Sequence, residues 1–216
     1  MGIFPGHALL STAYFGPVQY FTKFIIYPRI TIELEESYYK QSYRNRCYIA
    51  AANGPLPLVI PVKKKYGTHT KTRDIEIDYD TNWQKMHWNS IESAYRSSPF
   101  FEFYEDDLIG FYQYHEKYLI DLNYKSTDLI LNYLELDTSV EFTSVYISAY
   151  PENIEDLRLK IHPKTRYNRP DNSFYPEPYT QVFEEKYGFI PNLSIIDLLF
   201  NEGPQSEVIL SESIKK

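Results

Sequence analysis

An α/β fold, or the related α+β arrangement, is predicted by three features of this 216-residue chain. A strand, a helix and a strand follow one another near the N-terminus with the spacing of a Rossmann-like β-α-β unit. Additional short strands come next, and residues 81–136 then form a helical block. The length fits one domain, residues 1–204, with a frayed tail over 205–216.

Residues 7–14 read as a short buried strand, broken by Gly16-Pro17. Pro17 suits the first turn of a helix through Val18, Phe21, Phe24 and Ile25, because its missing N–H is not needed there. Residues 29–34 alternate in polarity like a strand, which completes a unit that favours parallel pairing. Ligands of such units sit at the carboxyl ends of the strands, here residues 11–19 and 35–43. Residues 46–51 and 56–62 are strands joined by Ala52-Asn53-Gly54-Pro55, where Asn-Gly signals a hairpin turn. Another strand is expected over residues 74–78.

Thr81-Asn82-Trp83-Gln84 has the form of a capping box, opening a helix that runs to about Ser97 and stops at Pro99. Helices over residues 107–122 and 126–136 follow, then a strand over 140–148. Five prolines crowd residues 150–179, so an ordered but irregular surface segment is expected there. Ser194-Ile195-Ile196-Asp197 is a second capping signature, and Gly203-Pro204 a helix stop.

Tyrosine occurs 22 times and outnumbers leucine, at 18, so much of the core must come from rings with a polar tip. The single cysteine, Cys47, excludes an intramolecular disulfide framework and reads as a small core residue. Apolar runs are far too short for a membrane span, and neither a secretory signal nor a myristoylation signal is visible around Met1 and Gly2. A cytoplasmic protein without membrane insertion is the expectation.

The formal charge of −7 is unevenly spread, with +4 over residues 1–100 and −11 over 101–216. Between Ser37 and Arg73 there is no acidic residue, while eight cations occur, including Lys40, Arg44, Arg46 and the run Lys63-Lys64-Lys65. Arginine forks grip phosphate or carboxylate well, so Arg44, Arg46 and Lys40 are candidate anion ligands. The lysine run reads more simply as a solvated loop. The acidic balance and the lack of a binding motif argue against nucleic acid.

His87 is the candidate for general acid–base catalysis, since its ordinary pKa lies near neutrality. It also shares a stripe with Trp83 and Ile91, so a satisfied core histidine is the competing reading. Tyr14, Gln19, Gln41, Tyr43 and Asn45 are candidate hydrogen-bonding partners of a ligand. Glu35 and Glu36 could meet a hydroxyl-rich ligand or simply face solvent. No metal-ligating spacing, dinucleotide fingerprint or P-loop occurs, and the sequence does not indicate a cofactor.

Residues Leu10-Ser11-Thr12-Ala13-Tyr14-Phe15-Gly16-Pro17-Val18-Gln19-Tyr20-Phe21 resemble the opening motif of the WbqC-like protein family. So do Lys40-Gln41-Ser42-Tyr43-Arg44-Asn45-Arg46-Cys47, Asn53-Gly54, Leu58-Val59-Ile60-Pro61-Val62, Asn82-Trp83-Gln84-Lys85 with His87-Trp88, and the closing Pro191-Asn192-Leu193-Ser194-Ile195-Ile196-Asp197-Leu198-Leu199-Phe200-Asn201. The match is similar to the short, Bacteroidetes-type form of the family. Longer members carry glycines between the helical block and the closing motif, where this chain is proline-rich. The resemblance implies a role in bacterial surface-polysaccharide (O-antigen-type) biosynthesis, on an activated sugar or other anionic precursor. A non-catalytic sugar-binding or scaffold protein of the same pathway is the alternative, with a homo-oligomer or a pathway protein as further partners.

Overall fold

The sheet is built outward from β1 (His7–Ser11), in which Ala8, Leu9 and Leu10 are fully buried. The computed structural model describes residues 5–63, 67–164 and 169–215. Met1, Gly2, Lys64 and Lys65, each singled out above, lie outside the described residues.

After β1, Pro17 caps α1 (Val18–Ile26) in an extended conformation, one position before the helix rather than within it. The chain returns along β2 (Arg29–Glu33), parallel to β1, with His7 opposite Arg29 and Ser11 opposite Glu33. Next comes a hairpin of β3 (Arg46–Ala51) and β4 (Gly54–Val59). Its turn is shorter than the sequence suggests. Ala51 pairs with Gly54, so only Ala52 and Asn53 are unpaired, and Gly54 takes a positive φ of 99° that favours glycine. β5 (Val62–Lys63) and β6 (Glu76–Ile77) form a small antiparallel pair; a short helical turn over residues 72–74 replaces the start of the expected strand.

The helical block comprises α2 (Trp83–Tyr95), α3 (Phe101–Phe111) and α4 (Leu119–Tyr133). Two expected boundaries are corrected here. The second helix starts earlier because Phe101, Tyr104, Leu108 and Phe111 share one buried face, a helical spacing built from aromatic residues. It stops at Phe111, and the Gln84 carboxamide takes up the carbonyls of Tyr112 (2.7 Å) and Tyr114 (2.6 Å) beyond it. That use of Gln84 also dissolves the predicted capping box. Asn82 caps α2 instead, its side chain accepting from the Lys85 amide at 3.3 Å.

β7 (Ser139–Phe142) joins β2 in parallel, and only the first part of the expected strand over 140–148 is regular. The proline-rich segment contributes a strand that was not foreseen, β8 (Ile154–Asp156), parallel to β1. The sheet order is therefore β7-β2-β1-β8, all parallel, so every strand ends at the same edge. A short α5 (Glu184–Tyr187) precedes α6 (Ile195–Glu202) and α7 (Ser206–Glu212).

At α6 the local capping signature yields to tertiary partners. The Ser194 hydroxyl donates to the Phe15 carbonyl at 2.7 Å, and Asp197 accepts from the hydroxyls of Tyr95 (2.6 Å) and Tyr179 (2.7 Å). Gly203 ends α6 with a φ of 54°, packed so close to the Phe100 ring that a Cβ would lie 2.4 Å from it. The tail expected to fray is a helix to Glu212. α7 packs on α1 and buries Leu210 completely, which supplies the apolar contact an isolated tail would lack. One core runs from Ala8 to Leu210 and is dense in rings, among them Tyr14, Phe15, Phe21, Tyr95, Phe101 and Phe200.

Candidate functional site

The shared carboxyl edge of the four parallel strands carries a concentration of charge. β2 delivers Glu33 and runs on into Glu35 and Glu36, all three buried; β8 ends on Asp156, followed by Arg158. A cavity of about 570 Å³ opens above them. Glu35, Glu36, Asp156, Arg158, Tyr39 and Tyr146 line it, with Lys71 and Arg169 at its wall.

Two arginines stand at this edge, Arg158 in the cavity lining and Arg44 behind Glu36, each held in the same way. Arg44 Nε and Nη2 donate to Glu36 Oε1 at 3.0 and 2.5 Å, and Nη2 donates to the Ser11 hydroxyl at 2.7 Å. Its guanidinium lies 5.7 Å from the Tyr39 ring centre. Arg158 grips Asp156 through Nε (2.9 Å) and Nη2 (2.6 Å), and its Nη1 reaches Glu33 at 3.1 Å. That guanidinium lies 5.4 Å from the rings of both Tyr146 and Tyr150. Each arm is thus carboxylate, arginine, tyrosine. The carboxylates fix the forks, and the forks support the ring faces. A narrow cleft of about 10 Å³ behind the cavity touches Ser11, Tyr43, Arg44 and Arg158 and connects the two arms.

Glu35 is held by Lys71, which donates to Oε2 at 2.7 Å, and by Arg73 on Oε1. The Lys71 hydrogen bond, outweighing burial, keeps its carboxyl below the ordinary range. Glu33 also accepts from the Glu35 amide (2.8 Å) and the Thr143 hydroxyl (2.7 Å), which locks the chain as it leaves β2. Tyr39 and Tyr146 stand at the mouth, 54% and 50% exposed.

The residues singled out from sequence divide between this edge and the core. Arg44 belongs to the edge, and Tyr43 lines the cleft beside it while its carbonyl accepts from the Tyr14 amide. Lys40 is exposed; Gln41 takes a φ of 60° and its side-chain oxygen meets the Lys164 ammonium. Arg46 Nη1 reaches the Tyr48 hydroxyl at 3.5 Å. Asn45 closes its turn, donating to the Ile60 carbonyl at 2.9 Å. Gln19 ties α1 to later segments, donating to Asp171 Oδ2 at 2.9 Å and accepting from the Asn192 side chain at 3.2 Å.

Tyr14 and His87 lie together in the aromatic core, away from the cavity lining. The Val59 carbonyl, 3.2 Å from Nε2, requires a proton there, so Nδ1 accepts from the Tyr14 hydroxyl at 3.0 Å. Tyr14 in turn is 2.6 Å from the Tyr112 hydroxyl. Burial lowers the His87 pKa to about 4, so the ring is neutral and both nitrogens are engaged. Sequence reasoning missed Glu33, Asp156, Arg158 and Tyr146. Their one local signal is Asp156-x-Arg158, an acid two residues before an arginine in a segment read as irregular. Among the described residues no helix is long and apolar enough to cross a membrane.

The chain belongs to the WbqC-like protein family, whose sequence model matches residues 12–170 and 164–209. It is similar to the uncharacterized protein Rv1507c of Mycobacterium tuberculosis (strain ATCC 25618 / H37Rv), with 27% identity over 215 residues and 89% of each chain covered. No solved structure matches.

Proposed function

With family membership as the premise, we propose that this WbqC-like protein acts in bacterial surface-polysaccharide biosynthesis, on an activated sugar or related precursor whose ring enters the strand-end cavity. The observation that carries the reading is the pair of arms. Two half-exposed tyrosine rings at the mouth offer stacking faces, and a floor of paired carboxylates and guanidinium groups offers acceptors and donors to hydroxyls. A volume of about 570 Å³ suits a sugar with its substituents. Glu35, Glu36 and Asp156 are the groups placed to accept hydroxyl protons, and Arg158 and Lys71 to donate.

The charge of the floor refines what enters. Arg44, Arg158, Lys71 and Arg73 each face a carboxylate, so these four leave little positive charge for a phosphate. The uncharged, hydroxyl-rich part of the ligand is the part this cavity fits. One observation favours a second reading, sugar binding without chemistry: His87 is buried, neutral and doubly hydrogen-bonded, and does not line the cavity.

A thermal-shift panel of nucleotide sugars and sugar phosphates tests the proposal. A ligand-dependent rise in Tm is expected, weakened about tenfold in apparent affinity by Tyr39→Ala with Tyr146→Ala. No shift with any member, or a shift the double variant leaves intact, overturns it. Product formation followed by NMR with the ligand that binds separates the enzyme from the binding protein.

A further inference from the structure

Beside the cavity lies a second group of cations with a different set of partners. Within the cavity and its floor every ion pair is made with a carboxylate. Among the described residues Arg46 and Lys164 make no ion pair. The Arg46 fork reaches the Tyr48 hydroxyl, a neutral acceptor at the 3.5 Å limit of a hydrogen bond, and its Nε is buried with no hydrogen-bond partner. The Lys164 ammonium meets the Gln41 side-chain oxygen, also neutral. A buried cationic N–H without an acceptor is costly, so the Arg46 guanidinium is short of acceptors.

His162 joins the two. Its Nδ1 accepts from the Lys164 backbone amide at 3.0 Å. Burial lowers its pKa, and the nearby charges of Arg44, Lys164 and Arg46 push in the same direction. Three cations therefore act on one ring, and among the described residues Arg44 alone of the three pairs with a carboxylate.

We propose that Arg46 and Lys164 form a subsite for an oxyanion, a phosphate or carboxylate group, immediately outside the strand-end cavity. The half-buried Arg46 side chain offers its terminal guanidinium nitrogens to such a group, and Lys164, distant in sequence, adds a point charge. The inference rests on the sugar reading for what the anion is attached to: the ring lies between Tyr39 and Tyr146, and its phosphate lies on Arg46 and Lys164. Of the cations that the amino-acid sequence marks as phosphate ligands, Arg44 thus goes to Glu36 and Arg46 to the anion, while Lys40 is exposed.

Titration calorimetry on the full chain tests this with four probes: inorganic pyrophosphate, malonate, N-acetylglucosamine and UDP-N-acetylglucosamine. Wild type is expected to bind pyrophosphate or malonate, and the preferred one names the group. Lys164→Met, at a partly exposed position, is expected to weaken that binding about tenfold, and Arg46→Met more. Tyr146→Ala is expected to leave it within about twofold while weakening the nucleotide sugar. Absence of pyrophosphate and malonate binding, or binding that Lys164→Met leaves unchanged, overturns the subsite. Binding of N-acetylglucosamine in that case preserves the sugar reading by itself. Loss of binding in Lys164→Met with no effect of Tyr146→Ala on any probe keeps the subsite and removes the sugar reading.

Discussion

Replacing Glu36 by glutamine keeps the shape of the side chain and removes its charge, which leaves the Arg44 guanidinium buried against a neutral amide. Arg44 and Glu36 side chains are 4% and 8% exposed, so solvent screens neither. Two of the three hydrogen bonds made by Arg44 go to Glu36 Oε1. Breaking a buried pair from one side costs about 3–5 kcal/mol, and the isosteric change belongs at the lower end, about 3 kcal/mol. In a chain of this size that lowers Tm by about 6–12 °C. Arg44→Met is expected to cost a similar amount, because it strands the carboxylate. The double variant Glu36→Gln/Arg44→Met leaves no charge behind and is expected to recover about 2 kcal/mol or more of the summed loss. Urea denaturation of the four proteins measures the cycle. Single variants within about 1 kcal/mol of wild type, or losses that simply add, refute the reasoning and return Arg44 to the pool of free anion ligands.

Three further outcomes are expected. The His87 pKa of about 4 in the folded chain lies below its unfolded value of 6.5. The unfolded chain therefore binds the additional proton, so this contribution is complete above about pH 6.5 and lost as pH falls towards 4, about 3 kcal/mol in all. Urea midpoints recorded across that window should flatten in His87→Gln, and an unchanged slope counts against the assignment. Asp197→Ala strands the hydroxyls of Tyr95 and Tyr179 and the Gln181 amide, and should cost about 3 kcal/mol or more in guanidinium denaturation; a loss below about 1 kcal/mol contradicts it. Gly203→Ala should cost about 2 kcal/mol from its positive φ and the Phe100 ring, with Gly203→Ala/Phe100→Leu partly restored; equal stability of the two variants removes the ring as a cause.

The β-α-β opening was legible because it is local: alternation in β2, the periodic α1 and Pro17 all lie within 30 residues. The hairpin was legible for the same reason, through Asn53-Gly54. What sequence concealed are partnerships across the chain. Gln84 and Asp197 match local capping patterns, yet both are drawn to partners more than a helix away. The acid-free stretch from Ser37 to Arg73 suggested unspent positive charge. Arg44, Lys71 and Arg73 are instead neutralised by Glu36 and Glu35, which sit just before the stretch. β8 stayed hidden because three residues among prolines carry no periodicity; only the exposed edge of β1 gives them a reason to be extended.

The strand order has a consequence for the time at which the protein becomes itself. β1 and β2 are adjacent near the start of the chain, but their outer neighbours, β7 and β8, leave the ribosome more than a hundred residues later. Until then the buried Glu33 lacks Arg158, and Lys23, fully buried in α1, lacks Asp171. A nascent chain ending at residue 133 carries both charges without a partner, which disfavours burying either. Folding is therefore held back towards the completion of synthesis, in a topology whose long-range pairings are already slow to form. Protease sensitivity of ribosome-bound chains stalled at increasing lengths reads this directly, with protection expected only after the Asp171 segment has emerged. The pocket edge, made by the earliest strands, is the last part to be finished.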